Sequence, residues 1–162
     1  MGTRAGPSPL TEAVRRKMVA QRNHDTAPEL LLRRALHAAG YRYRLNVKVP
    51  GAPRRTIDIT FPRQKVAVMV DGCFWHGCPV HSVPPKHNAA WWAEKLARNK
   101  SRDAETTALL QRAGWTVIRV WEHEPVAVAL AKVRSALEAS RISGRRETPP
   151  AGHPPTVGPS AD

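Results

Sequence analysis

The sequence predicts a single α/β domain in which a mixed β-sheet is flanked by helices, and three patterns predict it. Residues 41–50 alternate between apolar and polar side chains, which is typical of a strand with one buried face. Residues 65–71 are apolar on both faces, as in a central strand. Residues 126–137 carry apolar side chains at the spacing of an amphipathic helix. A chain of 162 residues can bury one core of this kind and has little room for a second.

The first helix of the predicted domain begins at Thr26. Residues 26–29 form a capping-box pattern, in which Thr26 is the N-cap and Glu29 is the third helical residue. The helix is expected to end at Gly40. After the alternating strand, Pro50-Gly51 should turn the chain into a second strand at residues 56–61.

The remaining elements follow the central strand. A long helix is expected from Asn88 to Ala113, where Gly114 ends it. Residues 115–121 then form a fourth strand, and the helix at 126–137 closes the domain. The predicted order is helix, strand, strand, strand, helix, strand, helix.

Composition favours a polyanionic partner. The chain has 26 Lys and Arg against 13 Asp and Glu, a formal charge of +13, which favours nucleic acid over a membrane surface. The alternative is an ordinary soluble protein rich in arginine. No apolar run approaches the ~20 residues of a membrane span, and no signal peptide opens the chain, so the expected location is the cytoplasm, in association with the nucleoid. Two cysteines in that reducing compartment indicate metal or thiol chemistry.

The two ends of the chain differ from the middle. Residues 1–22 are expected to form an N-terminal arm containing a basic helix, which either becomes ordered on DNA or is a solvated surface helix. The folded domain should span residues 23–140. Residues 141–162 are rich in Pro, Gly, Ser and charge, and are expected to be a disordered tail.

One acid lies in the middle of the second predicted strand. Asp58 should face away from Ile57 and Ile59, and a carboxylate buried there would need a cationic partner. It is therefore a candidate ligand for Mg²⁺, which prefers hard oxygen ligands. The alternatives are a solvent-facing acid or an ion pair with Arg42 or Arg44 on the neighbouring strand.

Both cysteines lie in a short motif directly after the central strand. Cys73, Cys78 and His81 have the spacing Cys-x4-Cys-x2-His, and His123 follows the last strand. Four such ligands suit tetrahedral zinc. A buried pair of free cysteines or a disulfide would also fit the pattern.

Residues 71–81, Asp-Gly-Cys-Phe-Trp-His-Gly-Cys-Pro-Val-His, resemble the signature of the very short patch repair (Vsr-type) DNA mismatch endonucleases. The resemblance extends over about residues 12–124. It implies a restriction-endonuclease-like αβββαβ core, so that residues 23–140 would be a nuclease domain. It also implies a structural Zn²⁺ at Cys73, Cys78, His81 and His123.

For the catalytic site, the resemblance implies Mg²⁺ bound by Asp58 and by the backbone carbonyl of Val70. His76 is the expected acid or base, because an imidazole exchanges protons near neutral pH. Asp71 stands where the best-studied members have a second histidine, and it could bind the metal or orient His76. Glu29 matches a supporting glutamate of the family, although the capping box explains it equally well.

Two polar residues of the long helix match supporting positions of the family site. Asn99 and Asp103 are four residues apart and share one helix face. The alternative is an ordinary polar face directed to solvent.

The resemblance also implies how DNA is engaged. Large apolar side chains on a basic surface can wedge between base pairs. Family members insert side chains at the positions of Met18, Phe74, Trp75 and Trp92. Trp91 is expected in the core. Lys86 and Lys95 are candidate phosphate contacts.

The function implied is a Mg²⁺-dependent endodeoxyribonuclease that nicks one strand beside the thymine of a T:G mismatch, the product of 5-methylcytosine deamination. Its partners would be mismatched double-stranded DNA and other mismatch-repair proteins, with no membrane association, and it would act as a monomer. Two alternatives remain open at this point. One is a zinc-stabilised DNA-binding module without cleavage, and the other is a related nuclease with different mismatch or sequence specificity.

Overall fold

The computed structural model describes residues 25–146, apart from residues 82, 84, 85 and 87. Met18 and the predicted N-terminal arm lie outside the described residues, as does the chain from residue 147. The described elements are α1 (Ala27–Ala38), β1 (Arg44–Val49), β2 (Ala52–Phe61), β3 (Val66–Asp71), α2 (Ala89–Arg112), β4 (Thr116–Trp121) and α3 (Val126–Arg146).

The four strands form one mixed sheet in the order β1-β2-β3-β4. β1, β2 and β3 are antiparallel neighbours, whereas β4 lies parallel to β3. A parallel neighbour requires a crossover, and α2 provides it. The predicted α/β class, a mixed sheet flanked by helices, is confirmed with the predicted order of elements. The restriction-endonuclease-like assignment stays a prediction from the resemblance.

Each face of the sheet is covered by different helices. On one face α1 packs on α3, and α3 packs on β3 and β4. On the other face α2 packs against β4 and β1. The larger buried cluster comprises Leu32, Leu36, Ile59, Phe61, Val66, Val68, Val120, Ala129, Val133 and Leu137. The smaller one comprises Val49, Ile57, Ala67 and Leu110. None of the described helices is both long and apolar enough to cross a membrane.

The β1–β2 hairpin departs from the simple pattern in two ways. β2 begins at Ala52, earlier than predicted, because the pairing shifts between Lys48↔Thr56 and Val49↔Ala52. Residues 53–55 are therefore extra residues bulged from β2. Ile57 packs in the smaller cluster and Ile59 in the larger one, so the two do not share a face as predicted.

The start of α1 only half resembles a capping box. Thr26 is the N-cap as predicted, but its side chain makes no capping hydrogen bond. Pro28, the second helical residue, has no N–H to donate to it. The carboxylate of Glu29 instead accepts from the backbone N–H of Asp25 at 3.1 Å. The expected capping box is therefore wrong for the threonine. In a capping box the glutamate accepts from the N–H of the N-cap residue, here Thr26, whereas Glu29 accepts from Asp25, one residue earlier.

The last helix is longer than predicted. α3 continues past residue 140 to Arg146. The predicted start of the tail at residue 141 is therefore too early. Ser140 explains part of this, because its hydroxyl donates to the carbonyl of Gln64 at 2.7 Å and attaches this turn to the domain.

Candidate active site and metal centre

The centre of the site lies where β2 and β3 stop pairing. Their ladder runs from Phe61↔Val66 to Ile59↔Val68. At the residue before Ile59 on β2, the carboxylate of Asp58 accepts a hydrogen bond from the N–H of Val70 at 2.7 Å. Asp58 is partly buried and held by β3, so the solvent-facing alternative is wrong. The Asp58 carboxylate is therefore held against the backbone of Val70, the residue whose carbonyl is the second predicted metal-binding group.

Asp71, the last residue of β3, is only 3% exposed. Arg119 of β4 donates to both of its carboxylate oxygens, from Nε and from Nη2, at 2.6 Å each. A bidentate hydrogen-bonded pair between arginine and a carboxylate is among the stronger ion pairs in proteins. Arg119 was not singled out from the sequence, although a lone cation within the apolar run 116–121 is the signal that could have found it.

His76 lies between two carboxylates. Its Nδ1 is 2.5 Å from Asp103 Oδ2 and 3.5 Å from Asp71 Oδ1. Burial would lower the pKa of His76, but the hydrogen bond to Asp103 and the negative charges of Asp71 and Asp103 outweigh it and raise that pKa above its usual value. The charge of His76 in turn lowers the pKa of Asp103, against the effect of burial. The nearer partner of His76 is thus Asp103 and not Asp71.

Two residues of α2 face the motif loop. Asp103 binds His76, and the side-chain amide of Asn99 donates to the carbonyl of Trp75 at 3.1 Å. The alternative of a polar helix face directed only to solvent is therefore wrong for this pair. The i, i+4 spacing lets one helix hold two consecutive residues of the loop.

The contacts described for Glu29 belong to the start of α1. Besides Asp25, its carboxylate pairs with Arg33 at 3.3 Å. These bonds account for a buried acid at this position. A supporting role of Glu29 in the catalytic site stays a prediction.

The motif loop also forms a Cys/His cluster. The ligand atoms of Cys73, Cys78, His81 and His123 all lie within 4.8 Å of one another. Tetrahedral zinc with bonds of ~2.0–2.3 Å needs ligand atoms roughly 3.3–3.8 Å apart, so small shifts would complete such a site. Both cysteines are free, which excludes the disulfide alternative. The donor set fits a structural metal ion.

Two further contacts attach this cluster to the end of β4. The backbone N–H of Cys73 donates to the Glu122 carboxylate at 2.7 Å, and Cys73 Sγ lies 2.9 Å from His123 Nδ1. Burial, together with the hydrogen bond to Cys78, raises the pKa of the Cys73 thiol to about 11. A cation bound here would displace that proton, because the thiolate is the ligand.

The aromatic residues pack around Trp92, which is 5% exposed. The ring centroid of Trp92 lies 5.2 Å from that of Phe74, 6.0 Å from Trp75 and 4.9 Å from Trp91. Trp91 is partly exposed. The core expectation for Trp91 is therefore wrong, because the first turn of α2 directs Trp92 inward. Contact of Trp92 with DNA stays a prediction and would require this cluster to open.

The basic side chains of α2 adjoin the exposed edge of the aromatic cluster. Lys95 Nζ lies 4.7 Å from the ring centroid of Trp91, and it also faces the rings of Trp75 and Trp92. A cavity of about 440 Å³ is lined by Trp91, Lys95, Arg98, Asn99 and Arg102. Lys86 is exposed at the surface. This cavity combines aromatic rings, which can stack on bases, with cations, which can contact phosphates, and so suits a nucleic acid.

Comparison with known proteins identifies the family. A family model described as DNA mismatch endonuclease Vsr matches residues 9–82. The type II nicking enzyme V.NaeI of Lentzea aerocolonigenes is 44% identical over 133 residues, which cover 81% of this chain and 80% of that protein. The chain belongs to the Vsr family of DNA mismatch endonucleases.

Two other relatives support the same assignment. The type II nicking enzyme V.XorIIP of Xanthomonas oryzae pv. oryzae is 38% identical over 81% of this chain and 97% of its own length. The DNA mismatch endonuclease Vsr of Escherichia coli K12 is 34% identical over 66% of this chain and 67% of its own length. The resemblance drawn from the motif at residues 71–81 is confirmed, and so is the prediction that the chain is an endodeoxyribonuclease.

Within this Vsr-family site, the residues divide by the structure that carries them. The interior of β2 supplies Asp58, the end of β3 supplies Asp71, the motif loop supplies His76, and α2 supplies Asp103. The loop between His76 and Cys78 is tight, because Gly77 has a φ of +62° and lies under the Lys100 side chain. Chemically, this arrangement offers an oxygen-rich edge for a cation next to an oriented imidazole.

Proposed function

We propose that this Vsr-family protein nicks one strand of duplex DNA beside the thymine of a T:G mismatch by Mg²⁺-dependent hydrolysis of a phosphodiester. The observation that carries the proposal is that consecutive residues at the carboxyl end of β3 contact both groups: the N–H of Val70 bonds to Asp58 at 2.7 Å, and Asp71 lies 3.5 Å from His76. Phosphodiester hydrolysis needs a cation at the phosphate, an activated water and help for the leaving oxygen.

Asp58 and the carbonyl of Val70 would hold the Mg²⁺. Magnesium keeps several waters and needs only one or two carboxylates, so a single aspartate with a peptide oxygen suits it. When bound, the ion supplies charge stabilisation at the phosphate and makes a bound water more acidic. The bond from the Val70 N–H orients the Asp58 carboxylate beforehand, which lowers the cost of assembling the site.

His76 would move the proton. The Asp103 carboxylate can only accept, so Nδ1 carries the proton of their shared hydrogen bond. Nε2 is then the ring nitrogen that can take a proton from water or give one to the leaving oxygen.

The Cys/His cluster would bind Zn²⁺ and leave no open position for catalysis, because four protein ligands close a tetrahedral site. Its role would be to hold the loop with Phe74, Trp75 and His76 against the end of β4. Loss of the metal would therefore affect His76 through its loop.

The aromatic cluster and the basic face of α2 would bind the mismatched duplex. A mismatched step costs less to unstack than a paired one, so wedging rings select for it through deformability. The relatives are named mismatch and nicking endonucleases, and the net charge of +13 on this chain suits a DNA substrate. Met18, the predicted wedge from the opposite side, lies outside the described residues. We infer that the protein acts as a monomer in the cytoplasm alongside other mismatch-repair proteins.

The decisive experiment is a nicking assay on end-labelled duplexes that differ only at one position. The wild-type protein with Mg²⁺ should cut the T:G duplex in one strand and leave the C:G duplex intact. Asp58→Ala should lose at least ~100-fold in rate while still binding the duplex, because the metal ligand is removed and the DNA surface is not. Binding without nicking by the wild type would indicate the non-cleaving module instead.

A panel of other mismatches and flanking sequences belongs in the same assay. Relatives named type II nicking enzymes make a nuclease with another preference the second candidate. Equal cutting of several mismatches would favour that candidate over T:G specificity.

A further inference from the structure

We propose that Arg119 is a positioning residue for His76, acting through Asp71 and Asp103. The inference rests on the proposed function, since it assigns a part in that same reaction to a residue outside the motif. Arg119 lies on β4, opposite Met69 in the parallel pairing with β3. Its side chain crosses from the sheet to α2.

The guanidinium of Arg119 connects β3 and α2, the two elements whose carboxylates contact His76. It donates twice to Asp71 at the end of β3, at 2.6 Å each. Toward α2, its Nη1 donates to the Thr107 hydroxyl at 3.3 Å, and its Nη2 lies 3.6 Å from Asp103 Oδ2. A planar group with five N–H donors is suited to hold several acceptors in one geometry. Arg119 therefore sets the relative positions of the two carboxylates next to His76.

The two carboxylates compete for a single ring nitrogen. Asp103 holds His76 Nδ1 at 2.5 Å, while Asp71 stands 3.5 Å away. A buried carboxylate requires a donor or a cation. Because Arg119 occupies both oxygens of Asp71, His76 stays with Asp103 and its Nε2 keeps one direction. Without the arginine, Asp71 would draw the imidazole toward itself and misdirect Nε2.

The ion pair with Arg119 also distinguishes between the two predicted roles of Asp71. Asp71 was expected either to bind the metal or to orient His76. Its oxygens are both engaged by Arg119, whose positive charge offsets that of the carboxylate and makes Asp71 less suited to bind a cation. Asp71 and Arg119 together form a neutral support beneath the imidazole.

Arg119→Gln tests the proposal, with Arg55→Gln as the matched control. Arg55 also fastens the sheet to α2, through Glu105 at 2.6 Å and Thr106 at 3.0 Å, but it touches neither His76 nor its two carboxylates among the described contacts. Arg119→Gln should lower the single-turnover nicking rate ~10–100-fold with the duplex Kd changed less than about threefold, as for loss of a supporting hydrogen bond. Arg119→Lys should recover part of the rate, and Arg55→Gln should nick like wild type.

A second variant separates positioning from folding. In Asp71→Asn/Arg119→Gln both charges are gone, so the competitor for His76 disappears together with the residue that restrains it. This double variant should nick faster than Arg119→Gln alone. A double variant as slow as Arg119→Gln, or an Arg119→Gln variant that nicks like Arg55→Gln, would overturn the proposal. If Arg119→Gln does not fold, the double variant tests the proposal by itself. Its single-turnover nicking rate must then lie within about tenfold of the wild-type rate.

The NMR resonance of the His76 Nδ1 proton provides a readout besides activity. A proton shared with a carboxylate at this distance should be shifted far downfield. The resonance should keep its wild-type position in Arg55→Gln and in the double variant, and should change position in Arg119→Gln, where the proton would be shared with Asp71 in place of Asp103. Should the wild type fail to nick T:G duplex, the proposed function falls, and this resonance still decides the positioning role. An unchanged resonance in Arg119→Gln would refute that role even if nicking were lost.

Discussion

His76 Nδ1 lies 2.5 Å from Asp103 Oδ2, although 27 positions separate the two residues in the chain. The contact joins the motif loop to α2 and makes the helix part of the proposed active site.

Asp103→Asn should lower the single-turnover nicking rate ~10–100-fold, because an amide holds the imidazole more weakly and does not stabilise its charged form. The matched control is Glu105→Gln on the same helix, an exposed acid that pairs with Arg55. It should nick like wild type. Equal rates for both variants would show that the Asp103 contact has no part in the reaction.

Zinc removal, or Cys73→Ser, should lower the free energy of unfolding by about 4 kcal/mol or more, since metal binding to a closed site is coupled to folding. Elemental analysis should find one zinc per chain in the wild type. Thermal melts before and after chelation, with Mg²⁺ restored in excess, separate the two metals. An unchanged melting curve together with no bound zinc would rule out the structural site.

Thr60→Val should raise the free energy of unfolding by about 1 kcal/mol. Thr60 is fully buried, and among the described residues its hydroxyl is the buried side-chain polar atom without a hydrogen-bond partner. Thr106→Val is the control, because the Thr106 hydroxyl is bonded to Arg55 and to the carbonyl of Arg102. Denaturant melts should show opposite signs for the two variants, and destabilisation by Thr60→Val would contradict the expectation.

Gly77→Ala should be more damaging than Gly40→Ala. Both glycines have positive φ, +62° and +88°, so each alanine costs ~1–2 kcal/mol of backbone strain. A Cβ at Gly77 would also clash with the end of the Lys100 side chain, which would have to move, whereas one at Gly40 meets nothing within 4 Å. Gly77→Ala should therefore displace Lys100 and slow nicking, while Gly40→Ala affects stability alone. Normal nicking by a folded Gly77→Ala would show that this loop tolerates the shift.

Trp92→Ala should cost about 3–5 kcal/mol of stability, because the indole is buried among three other rings. Trp91→Ala should cost less, since Trp91 is partly exposed, but should weaken duplex binding through loss of the cleft that it shares with Lys95. Denaturant melts and binding titrations on the two variants make the comparison. If Trp91→Ala lowered stability more than Trp92→Ala, Trp91 would be the core residue, as the sequence predicted.

Much of the scaffold could be predicted because periodicity reports burial directly. The alternation of residues 44–49 and the apolar run 66–71 gave β1 and β3, and the glycines at 40 and 114 ended the first two helices within two residues. The errors occur where a local pattern met a competing contact. Pro28 removed a donor from the expected capping box, and the bulge at residues 53–55 changed the pairing of β2.

The family, the order of elements and the candidate Cys/His cluster could be read from the sequence alone, because they depend on residue identity at short spacing. The folded structure was needed to show that Arg119 holds Asp71, that Asp103 holds His76, and that Trp92 faces inward in place of Trp91. These contacts join residues from separate elements. Their geometry follows from the strand order and from the packing of α2 on the sheet, and no local pattern contains that information.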